Sequence, residues 1–550
     1  DTIGDVFSLD GAASGSGLKP GDASMLPLDF TSGFRLNRNN TVAEDLVSVL
    51  EALAAEALEL LHATLVAVTD SGMDDWRLVA NAVALLATPV DVVSSNMGGL
   101  MGYGNGSQLT CTYVVVVASF LDYPNAADPN GFEGRKRTPL PRLAALTLAS
   151  LTRAIAAVNA GAADLPHRSP FLELLGVENL RPLRVCISSI IASELEGLTL
   201  KTTLLELLTL LVELQPAFAN DLLGSVKETP VDEKGEKISE EKKQAAAEDT
   251  NGGGMKAVAT SYELSPDSIL HAVCKVLSQA QALDANRPAL LSQSLRLVRA
   301  LWQCRLSGRL FTSAAALAEK PNFWDHLCTV LFDELVTPPE FTHRPADVDG
   351  EGGDEGSAAM TLAHGSMPPG EHVLIGEHCH RIVARALVLE VLGIERYSSK
   401  DVPNGKRAKE RVDVVLKQAT DKKRLHAWLS EYLRFDLNPT AMTELHDASR
   451  KAGFELEAYL VPAAYRSFGE TYVYNLAALG QSMSTTATQK ELMVRQESYH
   501  PLSKGHGGKK EKATPEDTLI KAVQLANQVW SLADAQAMLL RGWGRFMEIW

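Results

Sequence analysis

Apolar residues recur with helical spacing through most of the chain, and the clearest case begins at Pro288. Four of them fall at i, i+4, i+7 and i+11, on one side of an α-helix: Leu291, Leu295, Val298 and Trp302. Pro288 suits the first turn of this helix, because the N–H group that proline lacks has no partner there. Gly308 follows its end and suits a left-handed cap. The pattern predicts a helix that begins at Pro288.

A second apolar stripe follows Pro321 and ends before Pro338. Its members are Phe323, Trp324, Leu327, Val330 and Leu331. Two helices joined by a short link cannot bury both stripes against each other alone. Each needs a further neighbour, which is the arrangement of a stacked helical array.

Further helices are predicted on both sides of this pair. Their ranges are 41–68, 74–86, 143–158, 180–195, 199–223, 265–283, 371–394, 411–420, 421–436, 440–451, 471–483, 491–495 and 515–550. For the helix at 265–283 we expect Ser265 as the N-cap and Pro266 as the first helical residue.

The segment 109–121 is ambiguous. Its four consecutive valines favour a strand, whereas its uninterrupted apolar length suits a buried helix, and the helical surroundings favour the helix. It is too short for the roughly 20 residues that a membrane span requires.

These patterns predict an all-α fold, a superhelical α-solenoid of irregular HEAT- or ARM-like repeats with flexible loop insertions. The predicted helical parts are 41–226, 265–336, 372–500 and 515–550, the last continuing into a longer parent chain. The predicted loops are a lead-in at 1–40, a charged insertion at 227–264, an acidic Gly- and Pro-rich insertion at 337–371 and a basic loop at 501–514. The charged insertion has too few large apolar groups to offset the entropy of ordering.

Composition narrows the class of function. Hydrophobic residues make up 45% of the 550 residues, which is ample for a large core, and the net charge is −16. An acidic surface argues against nucleic-acid binding and attracts basic partner segments. The cysteines are scattered without a CxxC pair, which indicates buried reduced thiols and a reducing compartment: Cys111, Cys186, Cys274, Cys304, Cys328 and Cys379.

The best candidate for a metal site is a cluster of histidines and one cysteine. Its members are His372, His378, Cys379 and His380. Metal ligands on one helix need i, i+3 or i, i+4 spacing, whereas His378 and His380 point about 160° apart on a helix. We therefore favour a polar helix start with solvated histidines and predict no metal.

Other motifs give equally little support for chemistry. The glycine cluster Gly98–Gly106 lacks the Lys-Ser/Thr of a P-loop, so a mobile loop is favoured over a phosphate cradle, and GxSxG is absent. Two basic patches could be localisation signals or phosphate contacts, but solvated loops are favoured: Lys406, Arg407, Lys409 and Arg411, then Lys509, Lys510 and Lys512. We predict no catalytic residue and no cofactor.

The last helix carries a tryptophan-rich stripe. Trp543, Phe546 and Trp550 lie at i, i+3 and i+7. Such a stripe is usually core, but at the end of the chain it could form an edge for a partner peptide, as in helix-in-groove recognition. These three are the candidate partner-binding residues.

Three stretches resemble the large inner-ring scaffold nucleoporins of the nuclear pore complex, in a fungal version. They are Leu204–Leu223, Leu290–Phe332 and Leu525–Ile549. The resemblance implies a superhelical α-solenoid without enzymatic activity that binds linker nucleoporin segments at the nuclear envelope and supports protein and mRNA transport. It implies no nucleic-acid partner and no direct membrane span. One relative contains a small β-barrel, which the present pattern does not predict.

Two other classes of function remain open at this point. A soluble HEAT-repeat transport receptor or adaptor, binding cargo or Phe-Gly repeats, would show the same helical pattern. An all-helical enzyme would need a deep pocket with converging titratable groups.

Overall fold

The computed structural model describes the helical parts of the chain and the hairpins between them. The described residues are 41–70, 76–87, 89–92, 109–122, 139–161, 170–224, 226–231, 259–306, 311–320, 322–332, 371–398, 410, 413, 417, 440–462, 472–476, 478–480, 482–483 and 515–549. The chain divides into two compact units. Unit 1 comprises residues 1–276 and 307–320, and unit 2 comprises residues 277–306 and 321–550.

Unit 1 contains helices and two short hairpins. The helices are α1 (Thr41–Asp70), α2 (Trp76–Leu86), α3 (Tyr113–Ser119), α4 (Leu140–Gly161), α5 (Pro170–Leu175), α6 (Leu180–Ala192), α7 (Leu198–Leu214), α8 (Pro216–Leu223), α9 (Ile269–Leu277, whose last residue falls in unit 2) and α12 (Phe311–Ala318). The strands are β1 (Pro89–Val92), β2 (Leu109–Thr112), β3 (Val226–Val231) and β4 (Ala259–Leu264).

Unit 2 contains longer helices and one hairpin. The helices are α10 (Ala280–Asn286), α11 (Pro288–Leu306), α13 (Phe323–Phe332), α14 (Glu371–Ser398), α15 (Thr440–Ala452) and α16 (Pro515–Ile549). The strands are β5 (Leu460–Pro462) and β6 (Tyr472–Tyr474).

In the described part of unit 1, several helices pack around α4. Helix α4 lies against α1, α2 and α7, and α7 continues to α8 and α6. Over Leu140–Val158, α4 is long and apolar enough to cross a membrane by length and composition alone, yet most of this stretch is buried among the neighbouring helices. That is the environment of a core helix.

Unit 2 buries the two stripes that the sequence placed after Pro288 and Pro321. Helix α11 begins at Pro288 as predicted, and Trp302 is fully buried. Its ring stacks on Phe323 at 5.6 Å and meets Trp324 edge-on at 5.7 Å. Helix α14 then packs against α11, α13 and α16. The prediction of an all-α fold of stacked helices is confirmed.

Within the described residues, three antiparallel hairpins are added to the helices. The strands pair as β1–β2, β3–β4 and β5–β6, and each pair brackets a long connection at 93–108, 232–258 or 463–471. Pairing supplies backbone hydrogen bonds to chain segments that have left a helix.

The hairpins correct three predictions. The helix predicted over 109–121 begins only at Tyr113, since Leu109–Thr112 is strand β2, although the valines are helical. The segment 227–264 begins and ends in the paired strands β3 and β4. Strand β6 lies inside the helix predicted for 471–483.

Two predicted helices are each divided in two. The helix predicted for 199–223 breaks at Gln215 (φ −134°, ψ 58°), just before Pro216 opens α8. The helix predicted for 265–283 becomes α9 and α10, and its cap is Ser268 instead of Ser265. The Leu270 N–H donates to Ser268 Oγ at 3.2 Å, and that hydroxyl donates to the Leu223 carbonyl at 2.7 Å. A tertiary contact therefore fixes where the helix begins.

Candidate functional site

The predicted partner-binding stripe lies on helix α16 of unit 2. Phe546 is 1% exposed, whereas Trp543 is half-buried, and their ring centroids are 6.0 Å apart. Trp550 lies outside the described residues. Phe546 is thus a core side chain, and of the two described members Trp543 presents part of its surface. Partner binding by this stripe stays a prediction.

Helix α16 makes a close backbone contact with α14 near this stripe. A Cβ atom at Gly542 would lie 2.9 Å from the carbonyl oxygen of Ala386. Only glycine fits at such a distance without a shift of one helix. The crossing therefore depends on a residue one position before Trp543.

Buried charged residues on α14 hold the surrounding helices. Arg385 donates from both terminal nitrogens to the two carboxylate oxygens of Asp284, at 3.0 and 2.9 Å. Arg381 donates to the carbonyls of Asp284 and Ala285, at 2.9 and 3.0 Å. These carbonyls belong to the last turn of α10, where the helix dipole and the unpaired carbonyls favour a cation. The two arginines dock the end of α10 on α14.

Two carboxylates further along α14 face arginines of α11 and α16. Glu390 accepts a hydrogen bond from Arg299 Nε at 2.5 Å, and Arg541 and Arg545 lie at 3.5 and 3.7 Å. Glu390 is only 3% exposed, so its charge is compensated inside the protein.

Glu395 makes the next connection along the same helix. It accepts from Trp302 Nε1 at 2.9 Å and from Arg305 at 2.7 Å. The indole N–H of the buried Trp302 therefore has a hydrogen-bond acceptor. The buried charges on α14 pair with neighbouring helices, which is a structural role.

Two histidines of the candidate metal cluster are described in unit 2, His378 as buried and His380 as half-buried. His378 is 3% exposed, and burial, together with Arg381 and Arg385, lowers its pKa to about 4. His380 Nδ1 lies 2.9 Å from Ser292 Oγ, and burial, together with Arg296, lowers its pKa to about 4.

The solvated environment expected for these histidines is therefore wrong for His378, which is buried beside Asp284 of α10, and His380 is half-buried against Ser292 of α11. The side chain of His372 lies outside the described residues. Within the described part of the chain, no group of three His, Cys, Asp or Glu side chains is placed to hold a metal ion.

The cysteine thiols are kept protonated by burial. Burial, reinforced by nearby acidic residues, raises the pKa of Cys186 and Cys328 to about 12. Burial also raises the pKa of Cys379 to about 12 and that of Cys274 to about 11, although Lys320 opposes the latter shift. Because the thiolate is the reactive form, the raised pKa lowers the reactivity of these four thiols at neutral pH. The predicted burial is confirmed for Cys186 and Cys328.

Comparison with known proteins adds one relative. A segment of 159 residues, which is 29% of this chain, is 28% identical in sequence to the nucleoporin NUP188 of Xenopus tropicalis. The chain is similar to a nucleoporin. It spans 8% of the length of that curated relative. No family model matches the chain.

This similarity to NUP188 agrees with the nucleoporin resemblance and with the all-helical structure. It identifies no site residue. The remaining motifs from the sequence lie outside the described residues: the glycine cluster at 98–106 and the basic patches at 406–411 and 509–512.

The buried charges of α14 are not among the residues predicted from the sequence. A signal for them is present, because Arg381, Arg385, Glu390 and Glu395 interrupt an otherwise apolar run of α14. Charged residues that recur within an apolar helix are expected to find buried partners. The identity of those partners, some 90 residues away, could not be read from the pattern.

Proposed function

We propose that this protein is a structural scaffold nucleoporin of the inner ring of the nuclear pore complex. In this role it binds linker nucleoporin segments at the nuclear envelope and supports the passage of protein and mRNA. The observation that carries the proposal is the similarity to NUP188 over 159 residues.

The structure supports a mechanical role over catalysis. In the described part of unit 2, the buried carboxylates Asp284, Glu390 and Glu395 are engaged by arginines of neighbouring helices. Paired charges of this kind fix how helices meet, and the pairing disfavours a role of these three carboxylates as general acids or bases. The protonated thiols argue against a cysteine nucleophile in the same way.

Partner segments are proposed to bind along helix edges, and the half-buried Trp543 is the first position to test. A panel of linker nucleoporin peptides should include at least one that the 550-residue chain retains in a pull-down. Trp543→Ala should weaken the binding of that peptide about tenfold, as truncation of a buried aromatic anchor does. Leu540→Ala on the same helix is the matched control, since Leu540 is exposed to 44%. Retention of no peptide would place linker binding outside this chain.

Residence at the pore separates a scaffold from a soluble transport receptor, which would share the helical stack. Photobleaching of the tagged parent protein at the nuclear envelope should show very slow recovery. Recovery within seconds would contradict the scaffold role and favour the receptor.

A further inference from the structure

Helix α1 of unit 1 is apolar on two opposite faces. One face carries Leu58 and Leu65, which are 4% and 1% exposed and pack in the core of unit 1. The other carries Leu53 and Leu60, which are 56% and 70% exposed. A surface helix of a globular protein normally has polar residues opposite its core-facing stripe. The second leucine face is therefore available for another element.

The exposed face has the spacing of a coiled-coil seam. Its members alternate steps of four and three residues, and all are exposed: Leu53, Ala57, Leu60, Thr64 and Ala67. This 4-3-4-3 order is the one that lets side chains of a second helix insert between those of the first. Ala57 and Ala67 allow a close approach.

Thr64 does not interrupt this seam. Its hydroxyl donates to the carbonyl of Leu60 in the same helix, at 2.7 Å. The hydroxyl is satisfied without water, so the methyl group can face a partner at little desolvation cost.

The charge of α1 specifies the partner further. The helix carries six acidic residues and neither Lys nor Arg: Glu44, Asp45, Glu51, Glu56, Glu59 and Asp70. Glu56 is exposed at a position that flanks the seam, one residue before Ala57. In coiled coils, charged residues beside the seam select a partner of opposite charge.

We propose that the seam of α1 (Leu53, Ala57, Leu60, Thr64 and Ala67) docks an amphipathic helix of a partner protein, with leucine-type residues at heptad spacing and Lys or Arg beside them. This docking site deepens the proposed function. It rests on that function in one respect, namely that the chain binds segments of partner proteins. It names a site and a chemistry that the similarity to NUP188 does not supply.

The test uses two synthetic peptides of about 21 residues, three heptads, with the same leucine seam. One has lysines at the flanking positions and the other has glutamates. Fluorescence anisotropy with the 550-residue chain should show binding of the lysine peptide at least about tenfold tighter than that of the glutamate peptide. The difference should shrink as salt is raised.

Variants then locate the binding. Leu53→Ser with Leu60→Ser should weaken binding of the lysine peptide by about tenfold or more, and Glu56→Lys should weaken it by a few-fold. Leu195→Ser is the matched control, because Leu195 is 97% exposed but stands alone in the turn between α6 and α7. It should leave binding unchanged. Circular dichroism checks that each variant keeps its helix content.

Either of two outcomes would contradict the proposed docking site on α1. The first is that the double leucine variant binds the lysine peptide as tightly as the unmodified chain does. The second is that the chain associates with itself and that the double variant abolishes this association, because the seam would then bind a second copy of the chain.

The site and the proposed function can fail separately. If linker nucleoporin peptides bind equally to the double leucine variant, the proposed function stands and the seam is not its site. If no linker peptide binds but the lysine peptide binds through Leu53 and Leu60, the seam stands and the proposed function fails.

Discussion

At the scale of single residues, a glycine decides how closely α16 approaches α14. A methyl group at Gly542 would meet the Ala386 carbonyl at 2.9 Å, and this backbone oxygen cannot swing aside as a side chain can. Gly544 lies two residues further along the same helix, and no atom lies within 4 Å of the position that its Cβ would take. The two glycines form a matched pair.

We expect Gly542→Ala to lower the stability of unit 2 by about 1–3 kcal/mol, as overpacking does elsewhere. Gly544→Ala should instead raise it by about 0.5–1 kcal/mol, because alanine loses less backbone entropy in a helix. Denaturant unfolding followed by circular dichroism measures both changes. Equal effects of the two substitutions would contradict the contact.

The Asp284–Arg385 pair is a second feature at this scale. Its side chains are 8% and 1% exposed, so either charge left alone would be buried without compensation. Asp284→Ala should therefore destabilise the protein by about 3–5 kcal/mol. A double variant with Arg385→Met should be less destabilised than the sum of the two single variants. Additive effects in this double-mutant cycle would show that the two side chains do not interact.

At the scale of elements, helix α14 combines an apolar stripe with a row of buried polar groups. His378 faces Arg381, Arg385 and Asp284, whereas His380 faces Arg296 and bonds to Ser292. Both histidines are neutral in the folded protein, and their pKa of about 4 lies below the ordinary value near 6.5.

This placement makes the stability of unit 2 depend on pH. Between pH 6.5 and 4 the unfolded chain binds more protons at His378 and His380 than the folded chain does. The stability that they contribute is therefore complete above pH 6.5 and declines as the pH falls toward 4. The loss is on the order of 2 kcal/mol for each histidine.

Thermal unfolding at pH 7 and pH 5 tests this dependence. The double variant His378→Gln, His380→Gln should lose less stability between these pH values than the unmodified chain, since glutamine does not titrate. His446→Gln, at an exposed position of α15, is the control. An unchanged pH response of the double variant would assign the effect to other groups.

The divided helices belong to the same scale. The sequence contains Pro216 as a visible signal for the break between α7 and α8. The start of α9 at Ser268 has no comparable local signal, because it depends on the carbonyl of Leu223 and on the left-handed Gly224 (φ +117°), whose Cβ would lie 2.9 Å from the Ser268 backbone. Close contact between distant chain segments sets this boundary.

At the scale of the whole molecule, both units bury thiols. Cys186 and Cys274 lie in unit 1, and Cys328 and Cys379 lie in unit 2, with pKa values raised to about 11 or 12. Folding therefore protects them twice, by lowering the thiolate fraction and by excluding the reagent.

We expect alkylation of these four cysteines at neutral pH to be about 100-fold slower in the native chain than in the unfolded chain. Mass spectrometry of the digested protein reports each position separately. Labelling of the native protein at the unfolded rate would contradict the packing around that cysteine.

Sequence similarity and structure also bear on function at this scale. The helical stack and the similarity to NUP188 agree on a nucleoporin-like structural protein, while the inner-ring position, the linker partners and the division of the chain into predicted helical parts and insertions stay predictions.

The sequence by itself determined that this protein is helical and where several helices begin. Apolar spacing of three and four residues, with proline at Pro288 and Pro515, is sufficient because helix formation depends on near neighbours along the chain. Only the tertiary structure decided which stripes are covered. Leu58 and Leu53 look alike in the sequence, yet one is core and the other is exposed, and the polar partners Ser292 and His380 meet across 88 residues. Burial depends on which other helices arrive at a face, and that is a non-local property of the fold.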